Sequence, residues 1–146
     1  MKPFFLRVTS IVALVLALGP AVARADSDAE VAAHQSVLDL AGAFTNDGFK
    51  LRDGDYAGTL KAGQAAIVQV NLYAGNQYWF SAATSDPKIM ISINLYDETG
   101  KLLKTDPYAN GNRTATSFAP ETSGPYYVRI AAAGAAATYC LVYSYK

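Results

Sequence analysis

One histidine, one cysteine and one tryptophan occur in this chain of 146 residues, and the first two scarcities each remove a class of function. With Cys140 alone there is no intrachain disulfide, so packing must supply the stability. Zinc sites draw on several His and Cys donors, and this chain has too few of either. A hydrolytic triad needs a base, and His34 lies in an N-terminal helical segment with no nucleophile motif beside it. Lysine and arginine form no cluster, and counterion release from nucleic acid needs a concentrated basic face. Nucleic acid is therefore not an expected partner. No apolar run approaches the roughly 18 uninterrupted residues of a bilayer span, and no membrane span is expected. Internal repeats and interdomain linkers are also lacking.

What is there begins with Lys2 and Arg7, an apolar run from Val8 to Leu18, Gly19-Pro20, and the small-residue triplet Ala23-Arg24-Ala25. That order is the pattern of a secretory signal, residues 1–25, cut before Asp26. The expected destination is the periplasm or the extracellular space. No cysteine stands at the cut, so nothing suggests a lipid anchor there. Cleavage removes Lys2, Arg7 and Arg24 but no acid, leaving nine bases against twelve acids and a net charge of −3. Residues 26–146 suffice for one core and are too few for two.

From Asp28 to Phe44 the apolar residues Val31, Val37, Leu38, Ala41 and Phe44 recur at helical spacing. Asp26, Ser27 or Asp28 is available as the cap, and Thr45-Asn46-Asp47-Gly48 ends the pattern. A short helical segment over 26–47 thus precedes a domain over 48–146. The texture there changes to short alternating stretches separated by Gly, Asp, Asn and Pro. Strands are expected at 56–60, 67–72, 77–84, 89–96, 114–118, 126–131 and 138–145, with Leu102-Leu103 beginning a return strand after the turn Asp97-Glu98-Thr99-Gly100. Ile89, Ile91, Ile93 and Leu95 form the cleanest alternation, which places that strand at the centre of a sheet. Asp106 to Arg113 reads as a loop. About eight strands with no helices between them predict an all-β antiparallel sandwich or barrel.

Four motifs carry a resemblance: Leu60-Lys-Ala-Gly63, Val68 through Phe80, Ile93-Asn-Leu-Tyr-Asp-Glu-Thr-Gly100, and Ser123-Gly-Pro-Tyr-Tyr-Val-Arg-Ile130. In order and spacing they resemble the bacterial pre-peptidase C-terminal domain, over roughly residues 56 to 145. The collagen-binding modules of clostridial collagenases look like relatives of that family. The resemblance implies a jelly-roll-like β-sandwich, here free-standing, and a role in the binding, secretion or maturation of an exported enzyme. The chain departs from the family by carrying Lys88, Met90 and Ser92 where acidic residues commonly precede the Leu-Tyr-Asp strand. Asn112-Arg113-Thr114 matches a glycosylation triplet, but the signal and the resemblance point to bacteria, and no function is read from it.

Three constellations bear on function. Asp53, Asp55, Asp97 and Asp106 are loop acids that offer oxygen ligands for calcium, against ordinary turn chemistry and without an EF-hand spacing. The pairs Asp53/Asp55 and Asp97/Glu98 would serve acid–base catalysis only if burial raised one pKa, which keeps a carboxylate-dependent hydrolase as a remote reading. Trp79, Tyr96 and Tyr127 lie opposite the strongest aliphatic stripes. They form either a platform for sugars, peptides or polymers or one more core face. Cys140 shares a strand face with Val142 and Ser144, as expected of a buried, inert thiol.

The expectation is a secreted or periplasmic, non-enzymatic binding or accessory module. The alternative is an envelope protein that assists another exported protein and docks through its N-terminal helix.

Overall fold

The computed structural model describes residues 27–146; the signal segment lies outside the described residues. Helix α1 spans Asp28–Thr45. Ser27 caps it with a capping box: its hydroxyl accepts from the Glu30 amide at 3.2 Å, and Glu30 Oε2 accepts from the Ser27 amide at 2.8 Å. Nine strands follow: β1 Lys50–Leu51, β2 Tyr56–Leu60, β3 Ala65–Leu72, β4 Tyr78–Thr84, β5 Ile91–Tyr96, β6 Asp106–Asn110, β7 Arg113–Phe118, β8 Gly124–Ala132 and β9 Ala137–Tyr145.

All pairings are antiparallel and divide into two sheets. The larger runs β1-β9-β4-β7-β6, with β2 also on β9, and the smaller runs β3-β8-β5. From β2 to β6 the chain crosses between sheets at every step, and it crosses again from β7 to β8 and from β8 to β9. Such crossing is the path of a jelly roll, in which hairpins alone would leave each sheet without a facing layer. The β-sandwich expected from the sequence is therefore the observed fold.

β1 and β2 are one edge strand broken by a bulge. Leu51 pairs with Ser144 and Tyr56 with Leu141, so Asp53 and Gly54 are extra residues that β9 does not match. Gly54 takes φ +90° there, a backbone open to glycine at no steric cost.

The interior is filled from both sheets by the alternation the sequence shows. Val70 and Leu72 from β3, Ile91, Ile93 and Leu95 from β5, and Val128 and Ile130 from β8 meet Phe80, Leu141 and Tyr143. Phe80 and Tyr143 stack at 5.3 Å.

The larger sheet is buried on its outer face as well. Ala33, Val37 and Ala41 of α1 pack on Ala83, Cys140 and Val142 in a second cluster. This explains why β4 is buried on both sides rather than alternating. Leu40 replaces Val31 in the buried stripe, and Val31 is 55% exposed.

Three expectations are corrected. β5 is not central but an edge of the smaller sheet, because its hydrophobic stripe faces the other layer rather than two neighbours. The segment from Asp106 is not a loop: residues 106–110 pair with β7 from Asp106↔Ser117 to Asn110↔Arg113, and only Gly111-Asn112 turn. β6 is solvent-exposed along its whole length, so it shows no apolar alternation to read. The return strand at Leu102-Leu103 reduces to one bridge, Tyr96↔Leu102.

Candidate functional site

One end of the sandwich carries an open groove of about 1180 Å³. Its wall and floor come from the start of β4 (Tyr78, Trp79), the end of β7 (Phe118), β8 (Tyr126) and Phe49 after α1. Charged side chains of both signs rim it: Asp47, Asp97, Asp106 and Glu121 against Lys104 and Lys146.

The local chemistry makes this end rigid. Tyr126 packs edge-on against Phe118 at 5.5 Å and donates its hydroxyl to the Thr122 carbonyl at 2.7 Å, which ties the β7–β8 turn to the core. Lys146 Nζ lies 4.5 Å from the Phe49 ring centroid and donates to the Asp47 carbonyl at 3.3 Å. Asp97 Oδ1 accepts from Thr99 Oγ1 at 2.7 Å, the Thr99 amide at 2.9 Å and the Lys101 amide at 3.0 Å. The Thr99 hydroxyl first, and the two amides with it, hold the Asp97 carboxyl below its ordinary range.

The three aromatic candidates separate. Trp79 lies beneath α1, its indole stacked on Phe44 at 4.2 Å and 9°, and reaches the groove only as part of a wall. Tyr96 and Tyr127 are cross-strand partners on the outer face of the smaller sheet, beside Gln69, and do not line the groove. A single platform of all three is therefore corrected to a helix-docking tryptophan and a tyrosine pair on the opposite layer. The helix covers the larger sheet, and among the described residues nothing covers the outer face of the smaller one.

The four acids separate as well. Asp97 and Asp106 both line the groove, whereas Asp53 stands in the bulge and Asp55 Oδ2 accepts from Cys140 Sγ at 3.3 Å. No group of three or more His, Cys, Asp or Glu that could hold a metal ion occurs among the described residues. The expected calcium set is thus not assembled: Asp53 and Asp55 lie at the bulged β1–β2 edge, while Asp97 and Asp106 line the groove. Neither Asp53/Asp55 nor Asp97/Glu98 meets the burial that acid–base work requires: Asp53, Asp55 and Glu98 are exposed, and the Asp97 pKa moves down rather than up.

Cys140 is fully buried, under α1. Burial first, and the Asp55 carboxylate second, push its thiol far above the ordinary range, so it is not a nucleophile at neutral pH. His34 is exposed on the helix.

Sequence reasoning missed the rest of this end. Phe49, Lys104, the pair Phe118 and Glu121, and Lys146 come from four separated stretches, and only the density of turn residues around 97–106 and 119–124 marked the region. No protein-family model matches the chain, and a search of curated proteins finds no match.

Proposed function

We propose that this protein is an exported, non-enzymatic binding module whose end groove holds an extended segment of a partner polypeptide. The observation that carries this reading is the groove itself. At about 1180 Å³ it exceeds the roughly 300–1,000 Å³ of small-molecule sites. Trp79 and Phe118 keep part of their ring surface exposed in its wall as contact area, and acids and lysines on one rim match a ligand that bears charges of both signs, as polypeptides do. The motif resemblance to the pre-peptidase C-terminal domain supports the same reading, since that family rides with exported enzymes. The N-terminal signal pattern supports export.

The helix is not the docking element in this reading. Its apolar stripe is already buried on β4 and β9.

Charge reversal tests the groove. A library of short peptides is screened for binding to the protein and to Lys104→Glu and Glu121→Lys, both exposed positions. Each variant is expected to shift the charge preference of the peptides retained. Identical peptide profiles for all three proteins would reject the groove as the site.

A further inference from the structure

A second hollow lies between the sheets beside the bulged edge, on the other side of Tyr78 from the groove. It measures about 350 Å³ and is lined by Arg52, Asn71, Tyr73, Asn76, Tyr78, Tyr143 and Tyr145. Four of the seven are tyrosines, two are amides, and one carries a full charge.

Among the described residues no carboxylate pairs with that charge. The one ion pair among the described residues joins Arg113 to Asp39, at 3.7 Å. Arg52 instead donates Nη1 to the Tyr143 hydroxyl, its guanidinium lies 5.3 Å from the Tyr143 ring centroid, and its amide donates to the Tyr143 carbonyl at 3.0 Å. The side chain is thereby oriented by β9 while most of its five N–H donors stay available. The bulge at Asp53-Gly54 leaves Arg52 at the end of its paired stretch, so it is held from one side only.

The remaining walls are equally specific. Tyr73 is 64% exposed and Tyr145 37% exposed, so both present ring surface to solvent. Tyr78 is fixed, its hydroxyl accepting from the Tyr73 amide at 2.9 Å and from Asn76 Nδ2 at 3.2 Å. No hydrogen bond to the Asn76 side-chain oxygen occurs among the described residues, which leaves it available as an acceptor.

We propose that this hollow binds a saccharide bearing a carboxylate, such as a uronic-acid unit of an acidic polysaccharide. A guanidinium fork matches a planar carboxylate with two parallel hydrogen bonds. Tyrosine faces suit the C–H side of a sugar ring, and the Asn71 and Asn76 amides suit its hydroxyls. One cation among the lining residues balances one negative charge per bound unit. The site goes beyond the peptide-binding groove and shares none of its charged residues.

The test is calorimetric titration of the protein with trigalacturonate, its methyl ester, a neutral trisaccharide, a sulfated trisaccharide and acetate. Trigalacturonate is expected to bind, with Arg52→Gln weakening it about tenfold or more and Arg52→Lys failing to restore it. Asn71→Asp, an exposed substitution that sets a second anion beside the ligand, is expected to weaken it as well and keeps the charge requirement measurable if Arg52→Gln unfolds. Equal binding of the methyl ester or neutral sugar, tighter binding of the sulfated one, equal binding of acetate, or no binding at all would each overturn the proposal. Charge reversals at Lys104 or Glu121 are expected to leave it unchanged, which separates failure here from failure of the groove.

Discussion

Phe44 and Trp79 lie face to face, 4.2 Å between ring centroids and 9° from parallel, and so join the last turn of the helix to the second residue of β4. The stack continues the cluster of Ala33, Val37, Ala41, Ala83, Cys140 and Val142 and makes the helix part of the same folding unit as the sandwich. Both rings are half-buried, so Phe44→Ala and Trp79→Ala are each expected to cost about 2 kcal/mol, below the roughly 3–5 of fully buried rings. The double mutant is expected to cost about 1 kcal/mol less than the sum. Urea unfolding measures all three, and strict additivity would show that the stack itself contributes nothing. Removal of residues 27–47 is expected to unfold or severely destabilise the sandwich, since it uncovers that apolar face.

Cys140 makes stability sensitive to alkali. Its folded thiol titrates well above the ordinary value of 9.0, chiefly because it is buried. Below pH 9 the thiol is protonated in both states and contributes no slope. Above pH 9 the unfolded chain releases a proton that the folded chain keeps, so stability falls by about 1.4 kcal/mol per pH unit. Tyr139 and Tyr143, both raised by burial from 10.0, steepen the fall at higher pH. Denaturant midpoints measured from pH 7 to 11 are expected to start falling near pH 9, and Cys140→Ala is expected to delay the onset. A native thiol that reacts with a disulfide reagent at neutral pH as fast as the unfolded one would contradict the burial.

Asp97 works in the opposite direction. Its carboxyl titrates below 3.8 because the Thr99 hydroxyl and the turn amides bind the charged form, so its contribution is present above 3.8 and is lost as pH falls through the lower folded value. NMR titration is expected to give a midpoint below 3.8 that moves up in Thr99→Ala. A midpoint unmoved by that substitution would remove the hydroxyl as the cause. Calcium is expected to leave the thermal midpoint where a chelator leaves it, because the four acids divide between the bulged edge and the groove and no three of them gather among the described residues. A calcium-dependent rise would show that some of them converge.

Tyr96 and Tyr127 are expected to act as a cross-strand pair. Tyr127→Ala costs about 1 kcal/mol or less by thermal unfolding and leaves both peptide and uronate binding intact. Loss of either ligand in that variant would return the open sheet face to consideration as a binding surface.

Much of the sandwich is legible in the chain because alternation is a local property. Ile91, Ile93 and Leu95 must share a side whatever else happens, and the turn at Asp97–Gly100 follows from Gly100 at φ +81° and an acid that binds three turn donors. β6 was not legible, since Pro107, Tyr108 and Ala109 are all exposed and its place depends on pairing with β7. Of the seven residues singled out for a site, Trp79, Asp97 and Asp106 reach the groove, while Arg52 and its tyrosines carried no signal at all.

The sequence by itself determined the all-β class, the inward stripes, the capped helix and the turn positions, because each depends on residues a few places apart. Only the tertiary structure decided which outward face the helix covers, and hence that Trp79 stacks under Phe44 of the helix while Tyr96 and Tyr127 pair on the other layer. It alone also set Arg52 against Tyr143, 91 residues away. Such pairings depend on the order in which strands assemble across the sheets, and no local periodicity encodes that order.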